Sequence, residues 1–144
     1  MKTLNPYLNF PGTTEQAFNF YKSIFGGQFT SVQRFKDTPE ANRVPASEAD
    51  KIMHISLPIG KGNLLMATDA LDSMGHHLTP GNNFHLTIET DTEEEASNLF
   101  NGLSAGGTVT VPLAKTFWGA YFGMLNDKFG VQWMISYAMT PQAN

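Results

Sequence analysis

Apolar and polar positions along this chain follow two matched series, each a strand, a helix and further strands. From Tyr7 to Phe10, Leu8 and Phe10 fall on one side and Tyr7 and Asn9 on the other, the period of two of a β-strand. Thr13 with Gln16 three residues on has the form of a capping box. Ala17, Phe20, Tyr21 and Ile24 then recur at helical spacing, and Gly26-Gly27 predicts the helix end. A strand is expected from Phe29 to Phe35. Two more, from Lys51 to Ile59 and from Asn63 to Thr68, should form a hairpin around Gly60-Lys61-Gly62.

The second series repeats the first. His85 to Glu89 reads as a strand, with Leu86 and Ile88 on one face and His85, Thr87 and Glu89 on the other. Thr92 and Glu95 give another capping box, and Ala96, Leu99, Phe100 and Leu103 form the apolar stripe that ends at Gly106-Gly107. Strands follow from Thr108 to Val111, from Lys115 to Leu125 and from Val131 to Tyr137, the last after a turn at Asp127-Lys128-Phe129-Gly130. The helix starts lie about eighty residues apart, too long a period for a solenoid, so duplication of a βαβββ unit is the better reading. The expected fold class is α+β: one domain over residues 1–144, with module one at 1–69, a linker at 70–83 and module two at 84–144. Residues 36–50 stand outside the plan as a mobile loop or short helix.

Composition narrows the function classes. At 144 residues a hydrophobic core is available without covalent staples. The net charge of -4 comes with no basic stripe, which argues against nucleic acid. No apolar run approaches the ~20 residues that span a bilayer, and Met1-Lys2-Thr3-Leu4-Asn5-Pro6 lacks an apolar signal core, so a cytoplasmic location is expected. The absence of cysteine removes disulfides, thiolate metal sites and a cysteine nucleophile. No nucleophile elbow, Walker loop or dinucleotide fingerprint occurs, and Gly60-Lys61-Gly62 is a hairpin turn rather than a phosphate loop.

Asn5-Pro6-Tyr7-Leu8-Asn9-Phe10, Phe20-Tyr21 and Phe25-Gly26-Gly27 resemble the opening of glyoxalase and bleomycin-resistance proteins. Met53-His54, Met66-Ala67-Thr68-Asp69-Ala70, Thr116-Phe117-Trp118-Gly119 and Asp127-Lys128-Phe129-Gly130-Val131-Gln132-Trp133 resemble the PhnB-like branch of the same vicinal-oxygen-chelate superfamily. The resemblance spans nearly the whole chain. It implies two βαβββ modules whose curved mixed sheets surround a cleft, and a homodimer. It also implies four cleft positions that hold a divalent metal in relatives, which fall here on Asn5, Met66, His85 and Met134. Only His85 keeps a good ligand type, and methionine is a poor partner for a hard divalent ion. No metal or other cofactor is therefore expected. Some family members carry a demethylubiquinone methyltransferase label, but the glycine-rich strand-to-helix turn usual for a nucleotide-like methyl donor is not visible here.

The residues expected to face a ligand are His54, Met66, His85, Trp118, Phe122 and Met134. His85 points away from Leu86 and Ile88, as either a ligand contact or a hydrogen-bonded structural histidine. His54 lies opposite Ile55 and Leu57. Trp118, Phe122 and Met124 share one strand parity, as core or as an aromatic face for a flat ligand. Trp133 is assigned to the helix side and Met134 to the cleft. Asp69 reads as a turn acceptor, and His76-His77 as solvated linker. The expected function is binding of a small molecule in an apolar cleft with His54 and His85 as polar handles. The alternative is a metal-dependent or histidine-based lyase, isomerase or dioxygenase. A phosphonate site lacks support, because Arg34 and Arg43 are the only arginines.

Overall fold

The computed structural model describes residues 1–139. They form two compact units that meet in sequence between Thr79 and Pro80, inside the 70–83 segment. The first unit contains β1 (Tyr7–Phe10), α1 (Thr14–Phe25), β2 (Ser31–Arg34), β3 (Ile52–Ile59) and β4 (Asn63–Asp69). The second contains β5 (Leu86–Glu89), α2 (Glu93–Ser104), β6 (Thr108–Lys115), β7 (Ala120–Asn126) and β8 (Gln132–Ala138). Each unit is a βαβββ module with a four-stranded mixed sheet, ordered β1-β4-β3-β2 in the first and β5-β8-β7-β6 in the second. The first strand of each module runs parallel to the last, and the remaining pairs are antiparallel.

One helix covers one face of each sheet. In the first unit Thr14, Ala17, Phe18 and Tyr21 are the buried positions of α1. They are spaced by three, four and seven residues, the geometry of one helical stripe. The sequence assigned Phe20 and Ile24 to that stripe; both are half-buried, and Phe18 takes the central place instead. Its ring meets Phe10 edge-on at 6.5 Å and Tyr21 at 5.6 Å. Leu8, Ile55, Leu57, Leu65 and Ala67 complete this core. In the second unit Ala96, Phe100 and Leu103 of α2 are buried, as are Leu125, Trp133 and Ile135.

Gly123 shows how closely helix and sheet approach. A Cβ there would sit 2.6 Å from Phe100 Cε2 and 2.9 Å from Leu113 Cα, so β7 passes under α2 only without a side chain at this point.

The two helix starts differ. Thr92 accepts from the Glu95 backbone N–H at 3.0 Å, and the Glu95 carboxylate reaches back to Asp91 N at 3.1 Å, close to the expected reciprocal box. Thr13 makes no side-chain cap. The α1 start is closed by Asp69, which accepts from Thr14 N at 3.0 Å through Oδ1 and from Ile52 N at 2.8 Å through Oδ2. A carboxylate from the end of β4 thus replaces the local cap and ties three elements together.

Strand boundaries in the second unit also depart from expectation. The sequence ends one strand at Val111 and starts the next at Lys115. The structure carries β6 through Pro112 to Lys115 and turns over residues 116–119. Proline is tolerated because β6 is an edge strand, and the register shifts between Val109 and Val111 and between Val111 and Ala114. His85 falls one residue before β5. Residues 35–48 form three short 3-10 helices, Phe35–Asp37, Pro39–Arg43 and Ala46–Glu48.

Asp69 is 1% exposed, so its two backbone bonds form in a dry setting. Asp69→Ala is expected to destabilise the protein by about 3 kcal/mol, from two bonds to a charged group at roughly 1.5 kcal/mol or more each. Asp69→Asn keeps one acceptor oxygen and should cost less. Urea unfolding of the two variants checks this order; equal and small losses would remove Asp69 from its structural role.

Candidate functional site

Because each helix covers only one sheet face, strand alternation leaves a second set of side chains on the other face. In the second unit Tyr121, Gly123 and Leu125 point to α2; the Tyr121 hydroxyl lies 3.3 Å from Ser97 Oγ. Phe122 and Met124 therefore occupy the opposite face. Met134 is the register partner of both Met124 and Thr87, and it shares that face. Thr87 Oγ1 donates to Met134 Sδ at 3.6 Å. Phe122, Met124 and Met134 are half-buried.

Trp118 belongs to this group by a different route from the one the sequence suggested. It lies in the β6–β7 turn rather than on a strand, so strand parity does not place it. It is 60% exposed, with its ring 6.1 Å from Phe122 and 5.0 Å from Phe117, and Phe117 is 98% exposed. The other tryptophan, Trp133, is buried on the helix side and donates its indole N–H to Asp127 Oδ2 at 2.9 Å. The second Asp127 oxygen accepts from Phe129 N and Val131 N. His85 is half-buried.

In the first unit the same logic sends Ile55, Leu57, Leu65 and Ala67 to α1. The opposite face carries His54 and Ser56 of β3, Met66 and Thr68 of β4, and Tyr7 and Asn9 of β1. Met66 is the register partner of both Tyr7 and Ser56. The Tyr7 hydroxyl reaches across this strand to His54 Nδ1 at 2.9 Å, with ring centroids 5.7 Å apart. Partial burial pushes the Tyr7 phenol above its ordinary pKa. The sequence placed Tyr7 on the correct face but gave it no role, because β1 and β3 meet functionally only through the strand order β1-β4-β3.

The four positions that the resemblance implies bring together a poor set of donors for a metal. Asn5 Oδ1 already accepts from Leu64 N at 3.1 Å, and its amide donates to Thr3 Oγ1. Met66 and Met134 offer neutral thioethers to an ion that prefers charged oxygen or imidazole. Among the described residues no three His, Asp or Glu side chains gather in metal-binding range.

A depression of about 210 Å³ lies elsewhere, at the start of α1, bounded by Gly12, Glu15, Gln16, Asp50, Lys51 and Asp69 among others. Its charges are already engaged. Glu15 pairs with Arg34 at 2.5 Å, which holds the Glu15 carboxyl below its usual range. Asp50 pairs with Lys36, and Lys51 donates to Gly12 O. This reads as the lock between α1 and the 35–50 segment, and we assign the candidate site to the sheet faces that the helices do not cover. His76 has a similar local use, its Nδ1 accepting from Leu71 N at 3.1 Å.

Two mixed sheets, each with one helix, define the class: this is a glyoxalase/bleomycin-resistance-like fold, seen in a protein of that family from Burkholderia phytofirmans at TM-score 0.60 and 23% identity, covering 92% of this chain and 96% of that one. Within the class, residues 2–136 match the family described as 3-demethylubiquinone-9 3-methyltransferase, and the chain belongs to that PhnB-like family. Protein PA1353 from Pseudomonas aeruginosa has a similar structure, with TM-score 0.81 and 38% identity over 94% of this chain and 98% of that one. A Bacillus cereus PhnB protein, described as a putative 3-demethylubiquinone-9 3-methyltransferase, gives TM-score 0.76 and 28% identity over 94% and 99% of the two chains. No helix among the described residues is long and apolar enough to cross a membrane.

The different settings of the two tryptophans give a stability test. Trp118→Ala should change stability by no more than about 0.5 kcal/mol, as for an exposed position. Trp133→Ala should cost about 3–5 kcal/mol through a cavity and a stranded Asp127. Calorimetric unfolding of both variants measures the difference, and a comparable loss at position 118 would return Trp118 to the core.

Proposed function

We propose that the protein binds a small, mainly apolar organic molecule on the sheet faces that its helices do not cover. The observation that carries this reading is the grouping of Trp118, Phe122, Met124 and Met134 on the side of the second sheet that α2 does not cover. Large apolar side chains with a few polar groups are the usual make-up of a small-molecule site. Methionine adapts its shape to varied ligands, and an exposed indole offers a stacking surface. Thr87 and His85 supply polar contacts beside this group. On the first sheet, His54 and Met66 form a separate group.

Methyl transfer, the activity in the family's description, is not carried to this chain. The β1–α1 turn is only Pro11-Gly12-Thr13, and Asp69 occupies the helix start behind it. We further propose a homodimer, because Val32 on β2 and Val109 and Val111 on β6 leave apolar side chains exposed on sheet edges. Light scattering at micromolar concentration should give twice the chain mass; a monomer mass counts against it.

Thermal-shift screening against metabolites and antibiotics tests the binding reading. A ligand present at about 100 times its dissociation constant should raise stability by about 2.7 kcal/mol. The same ligand should quench indole fluorescence, and Trp118→Phe should weaken binding without lowering the melting temperature. Prior treatment with a chelator should leave the shift intact. Ligands that bind equally well to wild type and Trp118→Phe, with no quenching, would defeat the assignment of this face.

A further inference from the structure

The Tyr7–His54 contact joins two strands that are not neighbours. Strand β4 lies between them, with Met66 facing Tyr7 and Ser56 by register, so the pair reaches diagonally across β4 on the face of the first sheet opposite α1. Tyr7 is 46% exposed and His54 is half-buried, so the contact is not a core hydrogen bond. The contact is assigned as the Tyr7 hydroxyl donating to Nδ1 of a neutral imidazole, since the reverse direction would need the ring proton on Nδ1. Nδ1 is then unprotonated, and the imidazole proton must sit on Nε2. The pair thereby fixes one tautomer, as second partners of histidine commonly do.

The side chains sharing this face by strand register are Asn9, Thr68, Ser56 and Gln33, with Met66 and Leu64. None carries a charge. An Nε2–H donor among neutral groups suits a hydrogen-bond acceptor. It offers no carboxylate to a cationic ligand and no cluster of cations to a phosphate or phosphonate. We propose that Tyr7 and His54 form the polar anchor of a ligand site on this face of the first sheet, with His54 Nε2–H donating to a carbonyl-type oxygen of an otherwise apolar ligand. His54 makes the contact, and Tyr7 is a positioning residue that sets its tautomer. This assignment rests on the reading that the uncovered faces take a ligand, and it names the chemical class.

Two measurements test it, the first without any ligand. Long-range proton–nitrogen NMR of the histidine rings should show His54 as the Nε2–H tautomer at pH 8. Tyr7→Phe should reduce that preference while leaving the fold and the other histidines unchanged. A His54 ring protonated on Nδ1 in the wild type overturns the proposal and leaves small-molecule binding untouched. The second uses matched aromatic probes, acetophenone and its oxygen-free counterpart ethylbenzene. Acetophenone should shift the His54 ring signals, and His54→Ala should weaken it about tenfold, the equivalent of ~1.4 kcal/mol. Ethylbenzene affinity should be unchanged by the same substitution. If both probes bind and neither responds to His54→Ala, the anchor is wrong and the apolar face stands. If neither probe binds at millimolar concentration, the binding reading falls and takes the anchor with it.

Discussion

One-sided burial is the constraint on which the rest of this protein depends. Each sheet has one helix, and the helix can remove only one face from water. Tight contact on that side is visible where Gly123 yields to Phe100, with 2.6 Å between a notional Cβ and the ring. Once Ile55, Leu57, Leu65, Tyr121, Leu125 and Trp133 are committed to the helices, the period of two leaves no choice about the other face. His54, Met66, Phe122, Met124 and Met134 stand there as the alternates of core residues. The candidate site is a consequence of how the core is built.

Two buried carboxylates secure this arrangement. Asp69 satisfies backbone donors at the starts of α1 and β3, and Asp127 holds the last turn and the Trp133 indole. Neither has an oxygen left over for chemistry. A carboxylate that closes a helix start also complements its positive end, which leaves the α1 terminus poorly suited to another anion. These two buried acids are thus structural, while the sheet faces opposite the helices carry neutral polar groups, aromatics, methionines and, at the end of β5, the exposed Glu89.

The family relationship and the side-chain chemistry bear on different questions. Similarity to PA1353 and to the Bacillus cereus PhnB protein fixes the fold and the family. It does not fix what is bound, because three of the four ligand positions that the family resemblance implies hold Asn5, Met66 and Met134. A fold can keep its module plan while its site changes, since the plan is set by the helix side of each strand and the site by the alternate side.

The sequence by itself determined the βαβββ duplication, both helices, and the strand faces of His54, Phe122 and Met134. These follow from local periodicity, which a chain displays without knowing its neighbours in space. It misjudged what depends on distant partners. Thr13-x-x-Gln16 and Thr92-x-x-Glu95 look alike, yet only the second forms its local cap, because Asp69 arrives from fifty-five residues away to close the first. Pro112 looks like a strand break and is admitted because β6 ends up on an edge. Trp118 reads as a strand residue and sits in a turn, touching Phe122 from outside the pleat. The Tyr7–His54 pair was illegible for the same reason. Its two members meet only because β4 inserts between β1 and β3, and strand order is a property of the assembled sheet rather than of any segment in it.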